Sequence, residues 1–505
     1  MRECESGNAG RSGGPVGGVS SGRSVSAYAL GAGVCVIALA LSASVRAETM
    51  SGALARAYVN SPDINAQRAN VRGVDENIPK QKAGWLPKVN ATGNLGAAYM
   101  YTRGAPTPAT PLTRNPLVAS NIQTIGSATL VYGTQYHANP RNYGITATET
   151  LFDGFRTLNS VRQAESQTFA AREQMRTTES SVLLNGATSY MNVLRDTAIL
   201  SLRKNNISVL EEQLRQTRDR FQVGEVTRTD VAQAEASLAQ ARTDFFSAQS
   251  TLQASIASYR QYIGVEPKNL SPAKSVEPLL PKKMGDAVEV SQVEHPLIAQ
   301  ALHNVDVATA QVKIAEAQLY PTLSVNGNIQ RGLDVNNVTG AKNFVASVTG
   351  QLNVPIYQGG AEYASIRQAK EQLGQSRLQV DVQRDTIRAQ VVTAWGQLET
   401  AKAQLISGQA NVAAAEIALN GIREEAKVGQ RTTYDVLTAQ QTLLNARVNL
   451  VTAQRDRVVA SYNVLAAMGR LNADQLSLTA QLYDPTLHFD QVRNKFFGIS
   501  TPDGR

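Results

Sequence analysis

The chain has 505 residues, with 49 Lys and Arg against 41 Asp and Glu, a formal charge of +8, and two cysteines. Its basic residues are interspersed rather than clustered, which speaks against a nucleic-acid-binding surface and for a solvated exterior. Both cysteines, Cys4 and Cys35, fall within the first 47 residues, so the rest of the chain has no disulfide and depends on packing and assembly.

Residues 1–47 read as an export leader. A Gly/Ser/Arg-rich stretch ending near Arg23 precedes the apolar run AYALGAGVCVIALAL (27–41), and Val45-Arg46-Ala47 supplies the small residue a signal peptidase requires. The run is short for a membrane-spanning helix, and Val34 stands where lipid modification of Cys35 would need a small residue. The expectation is a signal peptide ending near Ala47 and no lipid anchor. Its removal takes four Lys/Arg and two Asp/Glu, leaving 45 against 39, a net +6.

The remaining chain divides into a first repeat (48–270), a linker (271–290), a second repeat (291–475) and a C-terminal tail (476–505). In the first repeat, residues 51–82 have a helical pattern, with Leu54, Ala55, Tyr58, Val59 and Ile64 on one side and Pro87 closing the run. The period then changes to two. Within 88–104, Val89, Ala91, Leu95, Ala97, Tyr99 and Tyr101 share one face, and Lys88, Asn90, Thr92, Asn94 and Thr102 the other. A Pro-rich loop (105–117) leads to a second strand at 141–153, where Tyr143, Ile145, Ala147 and Leu151 share a face that Glu149 interrupts. A long helix over 154–222 and a half-length helix over 228–263 complete the repeat.

The second repeat has the same order. Its strands lie at 322–331 (Leu323, Val325 and Ile329 against Thr322, Ser324, Asn326, Asn328 and Gln330) and at 344–356, and its long helix at 359–427. The spacing between equivalent positions falls from 234 residues (Pro62 to Pro296) to 205 (Gly224 to Gly429), so the first strand-to-strand loop is 29 residues longer. A loop tip absorbs such an insertion at little cost. Each long helix spans on the order of 100 Å, and two half-length helices laid end to end would run beside it.

Residues 221–264 and 426–469 form the most regular part of the duplication. In the first, Val231, Leu238, Phe245, Leu252 and Tyr259 recur every seven residues, with Ala234, Ala241, Ala248, Ser255 and Tyr262 three behind. In the second, Val436, Leu443, Leu450, Arg457 and Val464 are followed by Ala439, Ala446, Ala453, Ala460 and Ala467. Alternating large and small residues at heptad spacing is a coiled-coil seam with close backbone approach. The turn before each half-helix has Gly224 or Gly429, suited to the left-handed position after a helix end. It also has a capping pair, Thr227/Asp230 or Thr432/Asp435. Capping is the structural reading of these residues.

Four strands of about ten residues, each with one apolar and one polar face, have the length and alternation of tilted membrane strands. Four cannot close a barrel, and an open edge in lipid costs several kcal/mol per unpaired backbone group. Three copies would supply about twelve strands. The expected fold is therefore mainly α with a membrane β-barrel to which several copies of the chain contribute.

Nothing points to catalysis or a cofactor. His137, His295, His303 and His488 are scattered and read as surface histidines, Trp85 and Trp395 as packing residues, and Glu211-Glu212 and Glu424-Glu425 as solvated faces. Neither a nucleophile elbow, a Walker loop nor a Cys/His ligand cluster is present.

The order helix, two strands, long helix, VGEVTRTDV turn and half-helix, repeated with IYQGG and VGQRTTYDVL, resembles the TolC-type outer-membrane efflux and secretion ducts over residues 48–478. The resemblance implies a homotrimer with a twelve-stranded barrel in outer-membrane lipid and an α-helical coiled-coil tunnel across the periplasm. It also implies docking on a periplasmic adaptor and an inner-membrane ABC or RND-type pump. The tail segment LYDPTLHF (482–489) is most similar to the type I protein secretion branch. By resemblance, the two turns form the periplasmic mouth: Asp435 lines a constriction, Arg431 belongs to the closing network, and Thr229 and Asp230 are its partners on the neighbouring turn. Ala426 stands where the family's latch has a tyrosine, and Thr438 where a second acidic ring would sit, which implies a weaker closed state. The other function class compatible with the pattern is a periplasmic coiled-coil or adhesin-like scaffold that transports nothing.

Overall fold

The computed structural model describes residues 47–103, 133–334, 340–502 and 504. The proposed leader and the Pro-rich loop at 105–117 lie outside the described residues.

The N-terminal helical run consists of three helices, α1 (Met50–Asn60), α2 (Pro62–Asp75) and α3 (Asn77–Lys82). Ser61-Pro62 resets the chain: the Ser61 hydroxyl accepts from the Ile64 N–H, and Pro62 occupies the first helical position, where a missing N–H costs nothing. The buried residues of α1 are Met50, Ala53, Leu54, Ala55, Ala57 and Tyr58. Val59, expected on that side, is exposed because it lies about 100° round the helix from Tyr58, off the stripe that continues to the buried Ser61.

The strands follow. β1 (Lys88–Leu95) and β2 (Ala98–Arg103) pair with β4 (Arg141–Phe152) and β3 (Gly133–Ala138) respectively, and the register is unbroken across the junction, where the Gly96 N–H donates to the Pro140 carbonyl (3.0 Å). The first hairpin is thus longer than the second, β5 (Thr322–Leu333) with β6 (Lys342–Asn353). β4 also pairs with β5, giving an antiparallel sheet in the order β1-β4-β5-β6.

Cross-strand rows share a face, and the faces differ sharply. One stacks Val89, Ala147, Gly327 and Val348, then Ala91, Ile145, Ile329 and Ala346, then Gly93, Tyr143, Arg331 and Phe344. The other stacks Lys88, Thr148, Asn326 and Thr349, then Asn90, Thr146, Asn328 and Ser347. Charges enter the apolar face at its margins: Arg141, Arg331 and Lys342 away from the helices, Glu149 toward them. Glu149 therefore does not weaken β4, which is paired on both sides.

α4 (Arg156–Gln222) and α5 (Arg228–Ile263) form the first long hairpin, and α8 (Ala361–Lys427) and α9 (Thr433–Ala467) the second. Every seam position named above in α5 and α9 is buried or half-buried, as are Ile366, Val380, Ile387, Ala394 and Ala401 along α8. Between the hairpins come α6 (Met284–Glu294) and α7 (Pro296–Glu316); α10 (Pro485–Val492) lies in the tail. The largest core cluster joins α1, α4 and the ends of α5 and α9 around the fully buried Tyr190 and Tyr259. The Tyr190 hydroxyl sits 2.7 Å from the carbonyls of Glu48 and Ser271, tying the start of the chain to the segment after α5. Trp395 packs against a second cluster built on Ile387, Val391 and Leu398, whereas Trp85 is exposed at the helix-to-strand junction.

Two histidines are not on the surface as the sequence suggested. His488 is buried on α10 with its Nδ1 3.0 Å from Asp75 of α2. His295 is buried where α7 begins beside the end of α9, and its Nδ1 accepts the Leu297 N–H (3.2 Å) as the helix cap. Gly469 makes room for it: a Cβ there would lie 2.7 Å from the His295 Cα, and its φ of +77° already favours glycine.

Burial, helped by the charge of Arg176, pushes the His295 imidazole down to about 4. As pH falls, the unfolded chain takes up this proton near 6.5, whereas the folded chain resists until about 4. Stability is therefore lost across that window, by up to about 3 kcal/mol. His295→Asn keeps a capping acceptor without a titrating group, so its thermal midpoint should fall less between pH 7 and pH 5 than that of the parent chain.

Candidate functional site

Two features are exposed beyond what packing within one chain explains: the sheet edges and the turns at the far ends of the long hairpins. β1 and β6 are the outer strands of the sheet, and both are exposed along their whole lengths. Among the described residues no backbone partner covers either outer edge. The inner strands β4 and β5 are flanked on both sides.

The two turns are built alike. After α4, the Gly224 N–H donates to the Phe221 carbonyl (3.0 Å) and the Glu225 N–H to the Arg220 carbonyl (2.9 Å), with Gly224 at φ +80°. After α8, Gly429 and Gln430 make the same bonds to Ala426 and Glu425 (3.3 and 3.0 Å), with Gly429 again at φ +80°. These bonds satisfy carbonyls that a helix end leaves open. Each following helix opens with a reciprocal cap: Asp230 accepts from the Thr227 N–H and hydroxyl (2.9 and 2.7 Å), and Asp435 from those of Thr432 (3.0 and 2.9 Å).

The Thr432 N–H and hydroxyl, with a smaller contribution from the Arg431 charge, hold the Asp435 carboxyl below its ordinary range. Arg431 donates to Glu425 (2.8 Å), which raises its own affinity for its proton. Among the described residues, no hydrogen bond or ion pair joins Arg431 to Thr229 or Asp230 within one chain. The turns are nevertheless neighbours: Leu437 of α9 is buried among Leu210, Leu214, Ala234 and Leu238 of the first hairpin.

Glu425, read from sequence as part of a solvated face, is the partner of Arg431. A signal for it existed. At the 205-residue spacing Glu425 is the counterpart of Arg220, and Arg220 pairs with Glu225 in the first turn (2.9 Å). Each turn thus carries one ion pair from the helix end to the loop, with the two signs exchanged. Among the described residues, no group of three or more His, Cys, Asp or Glu could hold a metal ion. No described helix is long and apolar enough to cross a membrane, which says nothing of the sheet.

Comparison with known proteins agrees with this geometry. The family model for outer membrane efflux proteins matches residues 53–265 and 288–470, one segment for each half of the duplication. The chain is 39% identical over 458 residues to the outer membrane efflux protein BepC of Brucella suis, covering 91% of this chain and 93% of that one. It is 25% identical over 460 residues to the outer membrane protein TolC of Escherichia coli, covering 87% and 86%. Its fold is similar to the crystal structure of the Campylobacter jejuni CmeC outer membrane channel, with a TM-score of 0.67 at 17% identity over 88% of this chain and 89% of that one. With the family model matching both repeats, the chain belongs to the outer membrane efflux protein family.

Proposed function

We propose that three copies of this chain close their sheets into one twelve-stranded barrel in the outer membrane, continued by the long hairpins as a tunnel into the periplasm. The tunnel conducts cargo passively from an inner-membrane pump and its periplasmic adaptor to the exterior. The carrying observation is the sheet: one face apolar, one polar, and both outer edges unpaired. In lipid an unpaired edge is prohibitive, whereas closure on neighbouring copies satisfies every edge and turns the polar face toward a water-filled lumen. A non-transporting scaffold would instead leave the apolar face and both edges in water, an aggregation hazard.

In this reading the two turns are the periplasmic mouth. Three copies of Asp435 around a narrow axis would concentrate negative potential and favour cations. Arg431 and Glu425 hold the turn in its closed form, and Thr229 and Asp230 face them across the neighbouring turn. The partner is an ABC or RND-type pump with its adaptor, and the cargo is a secreted protein or a toxic small molecule.

Asp435→Ala should lower the cation preference and the divalent-ion block of single channels in planar bilayers. Unchanged selectivity would remove Asp435 from the lining. Arg431→Ser should raise conductance, and Glu425→Gln should raise it to a similar extent, because each removes the same ion pair. A conductance increase in one variant without the other would separate the two residues.

A further inference from the structure

The tail has a direction. The Ala473 N–H donates to the buried Glu179 carboxylate on α4 (2.7 Å), and Arg493, past α10, pairs with Glu165 on the same helix (3.3 Å). The contacts on α4 step from 179 to 165, toward Arg156, where the helix leaves the sheet. On the N-terminal helices they step the same way: His488 meets Asp75, then the Lys82 ammonium donates to the Arg493 carbonyl (3.1 Å) and the Asn494 side chain (2.9 Å). Lys82 lies three residues before Trp85 and six before β1. At 1.5 Å per helical residue, the tail climbs about 20 Å along α4 and reaches a level about 14 Å from the helix start.

Beyond that level the chain reads Lys495-Phe496-Phe497-Gly498-Ile499. Phe497 is 89% exposed and Ile499 fully exposed, among the highest values for large apolar side chains among the described residues. Ile356 (93%) and Tyr357 (78%), at the sheet end of α8, are comparably exposed. In the structure the segment turns back, the Lys495 ammonium donating to the Ser500 carbonyl (2.5 Å); opened out, its five residues span roughly 16 Å, enough to cover the remaining height. Exposed aromatic and aliphatic side chains suit a membrane–water boundary, where rings sit at headgroup depth.

We propose that residues 493–499 anchor each protomer to the periplasmic leaflet of the outer membrane, with Phe496, Phe497 and Ile499 in the lipid boundary. The proposal rests on the reading that the apolar face of the sheet lies in lipid, because that face fixes the height of the bilayer. A neighbouring copy of the chain is the other surface that could cover these side chains.

Beyond residue 47 the chain has no cysteine, so a single introduced cysteine takes a fluorescent label cleanly. The chain from residue 48 onward would be labelled at Phe497→Cys, at Val348→Cys on the apolar face of β6, or at Leu487→Cys on the exposed side of α10 as the background. Each would be reconstituted in phosphatidylethanolamine and phosphatidylglycerol vesicles with brominated acyl chains. The expected result is quenching at position 497 comparable to that at 348 and well above that at 487. Quenching at 348 with position 497 at background overturns the anchor, and protection of that silent 497 label from aqueous iodide would assign the segment to a neighbouring copy. Absence of quenching at 348 overturns the placement of the sheet in lipid and the anchor with it.

Discussion

A peptide group in hydrocarbon has no water to bond to, so the outermost N–H and C=O groups of any sheet in a membrane must find protein partners. This chain brings a four-stranded sheet and, among the described residues, leaves both outer strands, β1 and β6, without them. At a cost of several kcal/mol for each unpaired group, even a few would outweigh the 5–15 kcal/mol by which a typical domain is stable. Association is therefore a condition for placing the sheet in lipid. The polar rows of Thr, Asn, Gln and Ser then line the inside of a closed barrel, and a lumen follows from the chemistry of the strands.

The same dependence on neighbours runs through the helical part. Alanine at alternate seam positions lets helices approach closely, but a two-helix hairpin of 67 and 36 residues has only one seam of its own. Large apolar side chains such as Ile406, Ile417 and Leu378 on α8 remain exposed in the single chain, as expected of surfaces covered by other subunits. At the far ends the duplication is strict in backbone and permissive in charge. Both turns have the same glycine conformation and the same Thr/Asp cap, yet the ion pair runs from Arg220 to Glu225 in one and from Arg431 to Glu425 in the other. Backbone geometry at a tight turn is set by steric rules, whereas an exposed ion pair between helix end and loop tolerates an exchange of signs and a shift of one residue in its loop partner.

What sequence revealed and what it hid follow from the range of the interactions involved. Heptad spacing, two-residue alternation and the Gly-x-x-Thr-x-x-Asp turns are local, and the seam residues, the apolar and polar strand faces and the caps around Thr227 and Thr432 could be read directly. The break at Ser61 was missed although Pro62 marks it, because the apolar pattern continues to Ile64 across the interruption. The burial of His295 and His488 was invisible: Gly469 lies far from His295 in sequence, and Asp75 far from His488, so only the folded chain brings them together. Glu425 was misread because two adjacent glutamates on a helix resemble a solvated face until the loop folds Arg431 back onto one of them. The places of Arg431, Thr229 and Asp230 in a closing network came from resemblance. Within one chain the structure pairs Arg431 with Glu425 alone, which leaves any contact with Thr229 or Asp230 to the assembled mouth.

The most direct measurement of the central claim is to place cysteines in pairs along the two outer strands, one in β1 and one in β6, and oxidise the protein in its native membrane. If neighbouring copies complete the barrel, some pairs will cross-link between chains, and the ladder on a denaturing gel will stop at three chains joined in a ring. Oxidation that yields only single chains for every pair, in protein that remains folded, would mean that the outer strands meet no neighbour and would contradict the pore.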